Sequence, residues 1–135
     1  LMLGISRQTE ESLTESISTL STLDIKHVSA YMLSIEEQTP YAKMRSSLLL
    51  PDEEKTADLY ITTCNELEKH GFEQYEISNF AVKGFESRHN CRYWKCLDYI
   101  GIGPSAHSCY QGKRFAVKRD LQSFLDFHPN LLHSL

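Results

Sequence analysis

The stretch from residue 86 to residue 108 carries most of the chemically unusual side chains of this sequence. It contains the only tryptophan, Trp94, with two histidines, His89 and His107, and two cysteines, Cys91 and Cys96. Imidazole and thiolate bind metals, and aromatic rings stack on planar ligands. Two interpretations stay open from the residues alone: a site for a metal or a large planar ligand, or an ordinary packed edge with a hydrogen-bonded histidine.

A metal site would have to be built around Cys91 and Cys96, which have four residues between them. Zinc sites normally need a second pair of ligands, which His89 and His107 could supply. Both thiols flank aromatic residues that prefer to pack, so structural thiols are the expected state.

The segment Gly101–Ala106 matches the dinucleotide-binding pattern G-x-G-x-x-G/A. That pattern requires a helix that begins directly after it, so that the helix N-terminus meets the pyrophosphate. The residues after Ala106 do not favour such a helix, because Gly112 soon interrupts them. A turn that lets the backbone approach another strand or a flat ligand is the preferred interpretation.

Three strands and two helices alternate over the first part of the chain. Strands are predicted at 1–3, 27–33 and 75–82, and helices at 9–23 and from residue 51 to Gly71. This order predicts a βαβαβ parallel sheet with ligands at the carboxyl ends of its strands. The buried face of the second helix is expected to consist of Ala57, Tyr60, Ile61, Cys64 and Leu67.

The alternation stops near residue 83. Residues 1–82 are therefore predicted to form the α/β domain, and 83–135 a mixed extension with a strand at 115–117 and a helix at 120–127. Glu76 falls within the predicted third strand among apolar neighbours. A carboxylate in that position must find a partner or shift its pKa.

Composition narrows the function classes. The chain has 135 residues, 41% hydrophobic and 24% charged, with a net charge of −4, which indicates a globular protein and argues against nucleic acid as a partner. No apolar run approaches the roughly 18 residues of a membrane span. The four cysteines are irregularly spaced, which favours free thiols and a cytoplasmic location.

Five motifs occur in the order in which one known family has them. They are Leu-Met-Leu-Gly-Ile-Ser-Arg-Gln-Thr (1–9), Glu-Glu-Gln-Thr-Pro (36–40), Tyr-Glu-Ile-Ser-Asn-Phe-Ala (75–81), Arg-His-Asn-x-x-Tyr-Trp (88–94) and Asp-Tyr-Ile-Gly-Ile-Gly-Pro-Ser-Ala-His-Ser (98–108). Together they resemble the haem chaperone branch of the radical S-adenosylmethionine proteins, often labelled oxygen-independent coproporphyrinogen III oxidase-like. The resemblance covers about residues 1–127.

The resemblance implies the later half of an incomplete (β/α) barrel, a C-terminal fragment of a protein that holds S-adenosylmethionine and a [4Fe–4S] cluster. The family binds its cluster through a Cys-x3-Cys-x2-Cys triad, and no such spacing occurs in these 135 residues. By motif, the residues on the S-adenosylmethionine side would be Met2, Gly4, Gln8 and Ser34. Where the family has Gly-Leu-Pro-Gly-Gln-Thr, this chain has Arg7 at the position of the second glycine.

The haem side follows from the fourth motif. The resemblance implies that His89, Asn90, Tyr93 and Trp94 bind haem, with His89 as the axial ligand of the iron. The basic residues expected to meet the haem propionates are Arg88, Arg92, Lys113, Arg114, Lys118 and Arg119.

The implied function is that of a haem chaperone, which binds haem and delivers it to acceptor proteins. The alternative is a coproporphyrinogen III oxidase, which decarboxylates porphyrinogen propionates by radical chemistry, so whether the chain is part of an enzyme stays open. A third interpretation is an inert truncated barrel that self-associates through exposed sheet edges.

Overall fold

The computed structural model describes residues 1–126 and 131–134. The chain divides into two compact units, Leu1–Glu86 and Ser87–Leu135. The domain boundary predicted between residues 82 and 83 stays a prediction, because this division does not show which part folds independently. The helix predicted at 120–127 ends on residue 127, which lies outside the described residues.

The first unit alternates short strands with helices. In chain order its elements are β1 (Met2–Leu3), α1 (Glu10–Ser21), β2 (His27–Ser29), β3 (Tyr31–Met32), α2 (Pro40–Lys43), α3 (Glu53–Lys69), β4 (Glu73–Gln74) and β5 (Asn79–Ala81), with a 3-10 turn at Arg45–Ser47 after α2. The two long helices lie where the sequence predicts them.

Local side chains explain the positions of these two helices. Thr9 caps α1, because its hydroxyl accepts from the backbone N–H of Ser12 at 3.2 Å. Asp52 caps α3 in the same way, accepting from Lys55 N at 2.8 Å. Gly71 follows α3 with φ of +84°, the left-handed conformation that ends many helices.

The third strand differs from the predicted βαβαβ parallel sheet. β1 and β3 pair in parallel as expected, but β5 pairs antiparallel with both β2 and β4. The chain reverses between β4 and β5, where Tyr75 N donates to Asn79 O at 3.2 Å. The predicted strand 75–82 is therefore the end of a hairpin, and β5 lies between two strands that run in the same direction.

An apolar layer between the sheet strands and the two long helices holds the first unit together. Leu13 and Ile17 of α1 and Leu59 and Leu67 of α3 are each at most 3% exposed. They pack in one cluster with residues of the strands, with the residue between β2 and β3, and with a residue of the segment before β4: Leu3, Val28, Ala30, Phe72 and Phe80. Burial of this layer is the main stabilising term for the unit.

The second unit contains α4 (Arg88–Trp94), β6 (His107–Tyr110), β7 (Lys113–Val117), α5 (Leu121–Leu125) and β8 (Leu132–Ser134). Its three strands form an antiparallel sheet in the order β6-β7-β8. The strand predicted at 115–117 is thus part of β7. Among the described residues, no helix is long and apolar enough to cross a membrane.

Candidate functional site

The helix α4 carries all four residues of the predicted haem side. Ser87 begins it by accepting from Asn90 N at 3.2 Å, and Cys96, with φ of +49°, lies just beyond its end. His89, Asn90, Tyr93 and Trp94 occupy positions i, i+1, i+4 and i+5, which share one side of a helix. The structure therefore brings the four predicted residues together.

A hydrogen bond joins two of these side chains. His89 Nε2 lies 2.6 Å from Tyr93 Oη, and the two rings meet edge to face with their centroids 4.9 Å apart. Tyr99 packs against Tyr93, and the centroids of these two rings are 4.5 Å apart. The orientation of the Tyr93 ring is therefore fixed from two sides.

The large side chains of α4 are open to solvent. Trp94 is 59% exposed and Tyr93 is 43% exposed, so neither ring is part of a closed core. Exposed aromatic surface beside imidazole and phenol groups is a donor set that fits haem, because both groups serve as axial ligands of haem iron in proteins. The alternative of a packed edge does not fit the exposed Trp94 ring, although the hydrogen-bonded histidine that it expects is present in His89.

One of the basic residues predicted to meet propionates is already engaged. The guanidinium of Arg92 donates through Nε to the backbone carbonyl of Asp98 at 3.1 Å, and Nη2 donates to the same oxygen. The Asp98 carboxylate accepts from Gln111 N at 2.9 Å. Arg92 thus supports the loop after α4. The other predicted basic residues are all exposed: Arg88, Lys113, Arg114, Lys118 and Arg119.

The glycine turn at Gly101–Ala106 serves close backbone packing, as expected. A Cβ on Gly101 would lie 2.3 Å from the carbonyl oxygen of His107, and Gly101 N donates to Ser108 Oγ at 3.0 Å. The chain enters β6 directly after Ala106 instead of a helix. The dinucleotide interpretation therefore lacks the helix N-terminus that it requires.

The free thiols Cys91 and Cys96 are half-buried and exposed, respectively. Within the described part of the chain, no group of three or more His, Cys, Asp or Glu residues is placed to hold a metal ion. The cysteine triad of the family does not occur in these 135 residues, so the residues present do not fit a [4Fe–4S] cluster.

Three of the residues predicted for the S-adenosylmethionine side meet at the carboxyl end of β1. The Gln8 carboxamide accepts from Gly4 N at 2.7 Å and donates to Met2 O at 3.1 Å. Gly4 has φ of +79°, so the chain turns sharply and the Gln8 amide closes the turn. Gln8 therefore holds the backbone of this turn.

Arg7, at the position of the family's second glycine, strains the backbone of this turn. Arg7 adopts a φ of +62°, a left-handed conformation that glycine adopts without strain but a side chain does not. Its backbone N–H donates to Leu49 O at 2.9 Å, which ties the turn to the segment before α3. The side chain of Arg7 is exposed.

Ser34 lies at the same edge of the sheet, two residues past the end of β3, and just after Leu33, whose N–H donates to Leu3 O at 2.7 Å. A cavity of about 390 Å³ also opens at this edge, between the ends of β1 and β3 and the start of α3. Among the four predicted S-adenosylmethionine residues, Gly4 lines that cavity and the others do not.

Glu76 finds its partners within the β4–β5 hairpin. Its Oε1 accepts from Ser78 N at 3.0 Å and from the amide nitrogen of Asn79. Asn79, 4% exposed, also accepts from Ser29 Oγ at 2.5 Å. Glu76 thus has the partner that the sequence requires, but it lies in the turn between β4 and β5 instead of within a strand. The alternation of polar His27 and Ser29 with apolar Val28 and Ala30 is the signal for a strand with one polar face that could have pointed to Asn79.

Comparison with known proteins finds relatives that are named heme chaperones or radical S-adenosyl methionine proteins. The Bacillus subtilis heme chaperone HemW is 38% identical over 128 residues, which cover 93% of this chain and 34% of that protein. The Synechocystis heme chaperone HemW is 38% identical over 135 residues, or 98% of this chain and 33% of the relative. A mitochondrial radical S-adenosyl methionine domain-containing protein 1 from Danio rerio is 47% identical over 83 residues, which are 60% of this chain and 19% of that protein.

No protein-family model matches the sequence. Among solved structures, coproporphyrinogen III oxidase of Escherichia coli, a radical SAM enzyme, matches all of this chain and 36% of its own with a TM-score of 0.74 at 19% identity. This likeness confirms the predicted fold class, part of a radical-SAM-type barrel, and at that identity it concerns the fold alone. The chain spans about a third of the length of the heme chaperones that it matches. It is related to the haem chaperone branch of the radical S-adenosylmethionine proteins.

Proposed function

We propose that the chain is part of a haem chaperone and that α4 supplies its contact with haem. The observation that carries the proposal is the placement of His89, Asn90, Tyr93 and Trp94 on one side of a single helix, with the two large aromatic rings exposed. The similarity to heme chaperones over almost the whole chain supports the same assignment.

In this proposal the exposed Trp94 ring covers one face of the porphyrin, since flat aromatic surfaces stack on macrocycles. His89 and Tyr93 approach the iron from the same side of the helix. Exposed basic side chains such as Arg88 pair with the propionates. Haem supplies the iron centre, and this chain supplies the ligands and the apolar surface that hold it.

The assignments for the first unit are proposals too. We propose that the turn held by Gln8 forms one wall of an S-adenosylmethionine site in the complete protein, with Met2, Gly4 and Ser34 at the same edge. Acceptor proteins that receive the haem, self-association through sheet edges and a cytoplasmic location belong to the same proposal. The coproporphyrinogen III oxidase alternative has the likeness in fold as its support.

Haemin titration of the 135-residue chain tests the proposal. We expect a shifted Soret band that saturates at one haem per chain, and a variant with both His89→Ala and Trp94→Ala should lose this saturable binding. His70→Ala is the matched control, because His70 is an exposed histidine at the end of α3. Binding that is equal in all three proteins would contradict the proposal.

A further inference from the structure

The hydrogen bond within α4 decides which atom is free to meet an iron. His89 Nε2 and Tyr93 Oη are 2.6 Å apart, a short distance for such a pair. If the phenol donates, the lone pair of Nε2 is occupied; if the imidazole donates, Nε2 carries a proton. In either tautomer Nε2 is engaged and cannot bind iron without breaking the bond; when the phenol donates, Nδ1 carries the ring proton and has no free lone pair for iron either.

The phenol oxygen has a second lone pair and an exposed side. Tyr93 is 43% exposed, and its ring is held at a T-shaped angle of 81° by Tyr99. A tyrosine oxygen is an established axial ligand of haem iron in other proteins. We propose that ferric haem is bound through Tyr93 Oη and that His89 is a positioning residue; this inference rests on the proposed function.

The chemistry of this step balances without a further reactant. An Fe–O bond forms between the ferric iron and Tyr93 Oη, and the O–H bond of the phenol breaks. In the tautomer in which the phenol donates and the imidazole proton is on Nδ1, His89 Nε2, 2.6 Å away, takes this proton. No electron moves and the iron stays ferric. The imidazolium that results donates a charge-assisted hydrogen bond to the bound phenolate and holds it in place.

Electronic absorption, electron paramagnetic resonance and resonance Raman spectra of the full chain with haemin test the ligand. The wild type should show a ferric phenolate spectrum. Tyr93→Phe should lose that signature and weaken haemin binding at least about tenfold. Tyr110→Phe is the matched control, because Tyr110 is an exposed tyrosine of the same unit, and its spectrum and affinity should equal those of the wild type.

The role of His89 has its own readout. His89→Ala should keep the phenolate spectrum but shift its Fe–O stretching frequency and weaken binding about tenfold, as loss of an outer partner does. His89→Gln retains an acceptor at this position and should recover part of the affinity. Tyr93→His should replace the phenolate spectrum by an imidazole one; it keeps the test decisive if Tyr93→Phe folds poorly.

Two results would overturn the inference, and they are distinguishable. An imidazole-type spectrum in the wild type that disappears in His89→Ala and persists in Tyr93→Phe would make His89 the ligand, and would leave the proposed function standing. If the wild type showed no saturable haemin binding, both this inference and the proposed function would be wrong.

Discussion

The two units of the chain differ in whether large apolar side chains form a buried core. In Leu1–Glu86, Leu, Ile and Phe side chains close a core between the strands and helices, with Leu3, Leu67 and Phe80 at most 1% exposed. In Ser87–Leu135, the buried residues among those described are Ser108, Cys109, Ala116 and Val117, while the Tyr93 and Trp94 rings are exposed. The first unit thus has a core of large apolar side chains, although others such as Ile61 and Phe85 are exposed, whereas the described part of the second unit leaves the Tyr93 and Trp94 rings open to solvent.

The largest loss of stability should follow a change in the core of the first unit. Phe80→Ala should lower the free energy of unfolding by about 3–5 kcal/mol, since it removes a buried ring that the surroundings cannot replace. Chemical denaturation followed by far-ultraviolet circular dichroism measures this. Phe85→Ala is the matched control, because Phe85 is 55% exposed. Equal losses in the two variants would contradict the described core.

In the second unit, the largest loss of stability should follow a substitution of Gly101, in the turn before β6. Gly101→Ala should lower the free energy of unfolding by about 3 kcal/mol, because the new Cβ would meet a backbone oxygen that cannot move aside. Gly112→Ala faces no neighbour within 4 Å but has φ of +73°, so it should lose only about 1 kcal/mol. A smaller loss at Gly101 than at Gly112 would show that the turn is not closely packed.

A change in the turn after β1 should lower the free energy of unfolding less than Phe80→Ala or Gly101→Ala does. Gln8→Ala removes the side chain that binds Gly4 N and Met2 O, and we expect a loss of about 1–2 kcal/mol in unfolding free energy. Thermal unfolding of Gln8→Ala beside Gln38→Ala tests this, since Gln38 is exposed. A matching melting temperature for these two variants would remove the structural role assigned to Gln8.

The smallest effect concerns Arg7, and it has the opposite sign. Arg7→Gly should raise the free energy of unfolding by about 0.5 kcal/mol, because relief of the left-handed strain exceeds the extra entropy lost by glycine. Arg7→Ala keeps a Cβ at φ of +62° and should change stability little. Denaturant midpoints of the two variants decide the point; a gain in the alanine variant alone would contradict the strain argument.

The two long helices could be predicted from the sequence because their signals are local, whereas α2 and α4 were not predicted. Thr9, Asp52 and Gly71 mark helix ends through their own side chains or backbone, and no distant contact is needed to recognise them. The buried face of α3 is harder to predict. Ile61 is expected to be buried but is 56% exposed, whereas Thr63 is fully buried. Several stripes of that helix are partly apolar, and its packing against α1 decides between them.

The β4–β5 hairpin could not be predicted because its reversal depends on bonds within the folded chain. The run 75–82 is apolar enough to be one strand, and its register is set when Ala30 N donates to Ser78 O at 2.8 Å. For the candidate site, the sequence did not predict the helix α4; once that helix forms, the spacing of His89, Tyr93 and Trp94 places them on one side of it. The hydrogen bond between His89 and Tyr93 needs rotamers that the spacing does not determine.

Fluorescence of Trp94 during haemin titration tests the central claim most directly, because Trp94 is the only tryptophan of the chain and lies on α4. Haem bound against α4 would quench this ring by energy transfer and contact. The account predicts saturable quenching that ends at one haem per chain and follows the same curve as the Soret shift. A Soret shift that saturates while Trp94 fluorescence is unchanged would place the haem elsewhere and contradict the account.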